Sequence, residues 1–108
     1  MTSAADLEAA AYRVSAELGD ASIVVNNAGL HPRQTLIDDV DYDLWRRTMQ
    51  VNTDSMFLVT SSFLPQLRAS GIGRIINMSS SVVNVAPLGG VLTASSGKPA
   101  VNWSSTQP

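Results

Sequence analysis

Small polar residues follow two short apolar runs in this chain, and their types are suited to binding chemistry. The first group is Asn26, Asn27, Ala28 and Gly29, and the second is Ser79, Ser80 and Ser81. Ligands of open α/β sheets bind beyond the carboxyl ends of the strands, so both groups are predicted at a binding edge. There the amides can join neighbouring strand ends and the small residues let a ligand approach the backbone. A plain Asn/Gly turn and a serine cluster capping a strand end are the alternatives.

Asn52 is a third candidate, because it lies on an apolar helical face. That face is formed by residues stepping by four and three, namely Trp45, Met49, Asn52, Met56, Val59 and Phe63. A buried amide without partners costs about 1–3 kcal/mol, so Asn52 must find them. A satisfied core asparagine that bends its helix is the structural alternative to a functional role.

The elements that must position these residues alternate between helix and strand. A first helix is predicted over residues 2–19, with Thr2 or Ser3 as its cap and Gly19 in the closing turn. Strands are predicted over 21–26 and 73–79, and their unbroken apolar runs are typical of strands covered on both faces. A second helix is predicted over 42–68, where Pro65 is expected to kink or end it.

The order α-β-α-β predicts the α/β class, with two parallel strands joined by a right-handed crossover helix. Two strands make a poor sheet, so the pattern indicates part of a larger doubly wound parallel sheet. Composition argues against several classes of function. A net charge of −2 makes nucleic acid and membrane surfaces poor partners. The absence of cysteine argues against disulfides and thiolate metal sites, and the single histidine cannot form a zinc site alone. No metal ligand set is predicted, and a cytoplasmic protein is expected.

Four stretches in order resemble the short-chain dehydrogenase/reductase family: NNAG at 26–29, VNTDSMFLVT at 51–60, GRIINMSS at 73–80 and LTASSG at 92–97. The resemblance implies a partial Rossmann-like domain over 1–108. Within it, the pattern predicts an ordered core at 2–81, and the small, Gly-, Pro- and Ser-rich residues without periodicity predict an irregular tail at 82–108. The resemblance implies NAD or NADP as cofactor, bound at 26–29, and hydride transfer to or from a small alcohol or carbonyl substrate. It also implies that Ser80 hydrogen-bonds the reacting oxygen and that Asn52 holds a water linked to a catalytic lysine.

The chain departs from the family at the positions of the catalytic tyrosine and lysine, which Leu92 and Ser96 occupy. Leucine has no proton to donate. Lys98 falls about 120° around a helix from position 92, whereas the lysine position of the family falls within about 40° of it, and Pro99 biases Lys98 away from helix. The glycine-rich turn that receives the pyrophosphate is also absent. The sequence therefore predicts an inactive fragment of such an enzyme, with cofactor binding impaired.

Two other hypotheses remain open at this stage. The helix at 42–68 corresponds to one that commonly packs against its copy in another subunit, which predicts a homo-oligomeric interaction module without catalysis. A decayed or misread gene product would also explain the altered residues after Ser96. His31 is interpreted as a solvated loop residue that could titrate near neutral pH.

Overall fold

A computed structural model describes residues 2–30 and 37–80 of the 108-residue chain. Helix α1 spans Ala4–Leu18 and strand β1 spans Ile23–Asn26. A short 3-10 turn at Ile37–Asp39 precedes helix α2 at Tyr42–Met49. A π turn at Gln50–Asp54 joins α2 to helix α3 at Ser55–Ala69, and strand β2 spans Arg74–Asn77. The predicted α-β-α-β order is therefore confirmed.

Helix α1 begins and ends where its sequence predicts. The Ser3 hydroxyl accepts a hydrogen bond from the backbone N–H of Asp6 at 3.3 Å, so Ser3 is the cap. Gly19 ends the helix with φ of 91°, a conformation that side chains disfavour. Leu7 and Ala11 are buried where α1 packs against α3.

Strands β1 and β2 form a parallel two-stranded sheet in which Ile23 pairs with Arg74 and Asn26 pairs with Asn77. Helix α3 packs on the face that carries Val24 and Asn26, both of which are buried. On the opposite face Ile23 and Val25 remain 58% and 52% exposed. The prediction of strands covered on both faces is wrong for this structure, in which α3 packs on one face of the sheet and Ile75 and Ile76 of β2 are also exposed.

Helices α2 and α3 form one continuous helical stretch with the π turn between them. Pro65 does not end it, since α3 continues to Ala69. Both Pro65 and Ser61, whose carbonyl Pro65 deprives of an amide partner, are exposed, so the helix tolerates the loss on its solvent side. The turn after α3 is close-packed: a Cβ on Gly73 would lie 2.5 Å from the Leu67 carbonyl oxygen.

The innermost side of this helical stretch is more polar than predicted. Asn52 is buried, but the other members of the predicted apolar face are only partly buried. The remaining buried residues of the stretch are Thr48, Ser55, Gln66 and Leu67. The hydroxyls of Thr48 and Ser55 donate to carbonyls one turn earlier, at 2.8 and 2.6 Å, which satisfies them without a distant partner. Because these side chains are small and hydrogen-bond within their own helix, the helix can pack close to its neighbours.

Candidate active site at the carboxyl edge of the sheet

The carboxyl ends of both strands are joined by a side-chain network. Asn26 Nδ2 donates to Asn77 Oδ1 at 2.8 Å across the pair and to Thr60 Oγ1 at 3.1 Å on α3. The ladder continues one residue further, because the N–H of Met78 donates to the Asn26 carbonyl at 3.0 Å. The amide at the end of β1 therefore holds the two strand ends and the helix together at the edge where α/β sheets bind ligands.

The segment after β1 turns away from the sheet with much of its backbone accessible. The N–H of Asn27 donates to the Val25 carbonyl at 3.2 Å, which turns the chain immediately after the strand. Asn27 and Gly29 are exposed and Ala28 is half-buried. The small side chains at 28 and 29 leave the backbone open to a ligand above the strand ends.

Asn52 is 2% exposed and lies in the π turn. Its Oδ1 accepts from the Leu30 N–H at 2.6 Å, and its Nδ2 donates to the Leu30 carbonyl at 3.0 Å. The predicted perturbation of the helix is present, and the carboxamide pairs with both backbone groups of one residue. Any link from Asn52 to a lysine stays a prediction, and the geometry gives the side chain a second task, which is holding the end of segment 26–30.

The serines lie at the end of β2, next to the Asn26 network. Within residues 2–30 and 37–80, Ser79 Oγ is buried and has no hydrogen-bond partner, while Ser80 is half-buried. Asn26 Oδ1 is likewise buried without a partner among these residues. A buried polar atom without a partner is rare in folded proteins, so both atoms are candidates for binding a ligand.

Several residues predicted for the site lie outside the described residues. They are Ser81, Leu92, Ser96, Lys98 and His31. The structure therefore attaches Asn26 and Asn52 to the two ends of segment 26–30 and has Ser79 and Ser80 directly after the strand that pairs with β1. It does not test the altered tyrosine and lysine positions.

Thr60 and Gln66 carry structural contacts that the sequence reasoning missed. Thr60 accepts from Asn26, which is 34 residues away, so no local pattern could have indicated this contact. Gln66 is 8% exposed: its Nε2 donates to the Ala11 carbonyl at 2.7 Å and its Oε1 accepts from the Ala21 N–H at 2.9 Å. Its partners are 55 and 45 residues away, so no local pattern could have indicated them.

Within residues 2–30 and 37–80 no helix has the length and apolar character needed to cross a membrane.

Comparison with known proteins gives a consistent family. Residues 1–106 match the family described as short chain dehydrogenase. Estradiol 17-beta-dehydrogenase 11 of Pongo abelii is 36% identical over 81 residues, covering 75% of this chain and 27% of that protein. Retinol dehydrogenase 10 of Homo sapiens is 39% identical over 72 residues, covering 67% and 21%. The chain thus spans about a quarter of these relatives.

Solved structures agree on the fold. A gluconate 5-dehydrogenase from Burkholderia cenocepacia J2315, crystallised in complex with NADP and tartrate, superposes with a TM-score of 0.84 at 31% identity. The match covers 94% of this chain and 39% of that one. The helices and the small parallel sheet therefore correspond to part of a Rossmann fold.

Proposed function

Because the chain belongs to the short-chain dehydrogenase/reductase family, we propose that it forms the centre of an NAD(P)-dependent oxidoreductase site, where hydride passes between nicotinamide and an alcohol or carbonyl. The observation that carries the proposal is the hydrogen bond between Asn26 and Asn77. It places the segment 26–30 and the serines at 79–80 at one edge of the sheet. The names of the relatives, which are dehydrogenases, support the same class of reaction.

The residues at the carboxyl edge of the sheet are suited to bind the nicotinamide and ribose part of a dinucleotide cofactor. The accessible backbone of Asn27 and Gly29 can approach a sugar, and the unsatisfied Ser79 hydroxyl offers a buried hydrogen-bonding group. Asn26, Asn27, Ala28 and Gly29 would hold the cofactor, NAD or NADP, which when bound supplies the hydride donor or acceptor. No described turn provides the glycine-rich site for the pyrophosphate.

We propose that the Ser80 hydroxyl hydrogen-bonds the reacting oxygen of the substrate. A hydroxyl at the end of β2 can donate to a carbonyl or alcohol oxygen and so fix its position relative to the cofactor edge. Ser79 is one residue away, and substitution of each serine separately decides between them. Asn52 contributes by fixing Leu30, and therefore the far end of segment 26–30.

We do not expect the 108-residue chain to catalyse the reaction by itself. The family's acid–base pair would be at positions 92 and 96, where this chain has leucine and serine. Neither side chain can supply the acid or the positive charge that general acid–base catalysis of this type requires. We therefore propose that the 108-residue chain is inactive and that the oxidoreductase activity belongs to a complete family enzyme.

The test of inactivity measures NADH and NADPH oxidation by the purified chain with a panel of ketones and aldehydes. The expected rate equals that of buffer, and a reproducible rate above buffer would overturn this part of the proposal. A separate titration with NADP⁺, followed by two-dimensional NMR, tests the cofactor edge. Shifts concentrated on residues 27–29 support it, whereas shifts confined to other residues count against it.

Resequencing the encoding DNA with its flanks tests the link to a complete enzyme. An upstream in-frame glycine-rich turn, with a corrected frame that restores tyrosine and lysine at 92 and 96, would support an ordinary dehydrogenase. Confirmed codons for leucine and serine would leave binding or assembly as the only functions of the chain.

A non-catalytic interaction module is the second candidate function. Phe57 on α3 is 68% exposed, and the half-buried residues of the apolar face lie on the same helical stretch. Burying such a surface against a second copy would remove it from water. Sedimentation of the wild-type chain and of Phe57→Ser over a range of concentrations tests this: a concentration-dependent dimer that Phe57→Ser weakens supports it, and a strict monomer excludes it.

A further inference from the structure

The segment 26–30 is attached to the α2–α3 stretch at both of its ends. At its start, the Asn26 carboxamide donates to Thr60 Oγ1 at 3.1 Å. At its end, both backbone groups of Leu30 pair with the Asn52 carboxamide. Between these two attachments lie the exposed residues Asn27 and Gly29 and the half-buried Ala28.

The spacing of the two attachments matches the length of the segment. Eight residues separate Asn52 and Thr60, which at about 1.5 Å per residue is about 12 Å along a helix. Four residue steps from Asn26 to Leu30 span at most about 13 Å when extended. The two lengths are similar, so one helical stretch can hold both ends of the segment.

We propose that Thr60 is a positioning residue which, together with Asn52, holds segment 26–30 in the shape that the ligand would meet. Thr60 acts through Asn26 and need not touch the ligand. With one Nδ2 proton directed at Thr60 and the other at Asn77, the Asn26 amide has a single orientation, and the strand end cannot rotate away. The role in cofactor binding rests on the proposed function, whereas the role in ordering the segment does not.

Hydrogen exchange of Thr60→Val tests the proposal. Valine keeps the shape of threonine and removes the hydroxyl, so the Asn27 and Leu30 amides should exchange about tenfold faster, corresponding to one lost hydrogen bond. The Leu67 amide, in the buried part of α3, serves as the internal reference for global unfolding. Unchanged exchange at Asn27 and Leu30 would overturn the proposal.

Two matched variants separate the hydroxyl from other effects. Thr60→Ser keeps the hydroxyl and should exchange like the wild type, and faster exchange would show that the methyl group matters instead, contradicting the proposal. Ser62→Ala removes a hydroxyl on the same helix that bonds only its own turn, at the Leu58 carbonyl, and should leave Asn27 and Leu30 unaffected. An equal acceleration in Ser62→Ala would also overturn it.

Two further measurements apply if Thr60→Val does not fold or if no cofactor binds. In the wild-type chain the Nδ2 protons of Asn26 should exchange at least about tenfold more slowly than those of exposed Asn27, and equal rates would refute the Thr60 contact. In the NADP⁺ titration, Thr60→Val should weaken binding about tenfold if the wild type binds. If the wild type does not bind, the cofactor proposal fails, and the exchange data alone decide the role of Thr60.

Discussion

At the amino end of the sheet, Gln66 joins α3 to the Ala11 carbonyl and the Ala21 amide, and both ends of its carboxamide are used. At the carboxyl end, Asn26 joins β1 to Thr60 and Asn77 through its nitrogen, while its buried oxygen has no partner among the residues that the structure describes. The same functional group thus uses both of its ends at one edge of the sheet and only its nitrogen at the other. The difference agrees with the proposed function, in which the amino end contributes stability and the carboxyl end contributes binding.

The largest expected effect on stability comes from removing the Gln66 carboxamide at the amino end of the sheet, where both of its ends are hydrogen-bonded. Gln66→Ala leaves the Ala11 carbonyl and the Ala21 N–H without their partners, and we expect a loss of about 2–4 kcal/mol in the free energy of unfolding. Urea denaturation followed by circular dichroism measures it. The control is Ser61→Ala, at an exposed position of the same helix, which should change stability by less than about 0.5 kcal/mol.

The close packing of Gly73 against Leu67 gives the second effect at the amino end. A Cβ in Gly73→Ala would meet the Leu67 carbonyl oxygen at 2.5 Å, so backbone must shift, and we expect a loss of about 1–3 kcal/mol. The same denaturation assay applies, with the neighbouring exposed Ile72→Ala as control. A loss no greater than that of Ile72→Ala would show that the turn relaxes freely.

Asn26→Ala tests the carboxyl end with the same type of truncation. It removes two hydrogen bonds but also removes a buried oxygen that has no partner, so the expected loss is about 1–2 kcal/mol, smaller than for Gln66→Ala. Denaturation of both variants side by side measures the difference. A larger loss for Asn26→Ala than for Gln66→Ala would contradict the division between the two ends.

The smallest effect, with the opposite sign, is expected for Ser79→Ala. Removing a buried hydroxyl that lacks a partner should leave stability unchanged or raise it by up to about 1 kcal/mol, because its desolvation cost disappears. If the hydroxyl serves a ligand, the same change weakens NADP⁺ binding in the NMR titration. Marked destabilisation without ligand would show that Ser79 is part of the folded network instead.

The sequence predicted the elements of the fold closely, because each is encoded locally. The Ser3 cap, the closing Gly19 and the apolar runs of both strands placed α1, β1 and β2 within a few residues of their observed bounds. The strand sequences did not predict which face of the sheet remains exposed to solvent. An apolar run shows suitability for burial, whereas the side that is covered depends on where α1 and α3 pack.

The candidate site was predictable in its residues and less so in its contacts. Asn26 and Asn52 stood out as amides at a strand end and on an apolar face, and both are buried. Their partners were not predictable, since Leu30 is 22 residues from Asn52 and Thr60 is 34 residues from Asn26. Such pairings depend on how helix and strand pack in three dimensions. A single sequence does not show which of its distant residues come into contact.

The π turn at Gln50–Asp54 has a consequence for insertions and deletions along this lineage. A π turn contains one more residue than an α turn, so deletion of a single residue there would let the helix run as a regular α-helix. Because the π turn takes up its extra residue by widening, this deletion would leave the residues before and after it on nearly the same sides of the helix. Deletion of one residue from the regular part of α3 would instead rotate everything before it by about 100° relative to everything after it. The π turn is therefore the place in this stretch where a one-residue change in length alters the packing least.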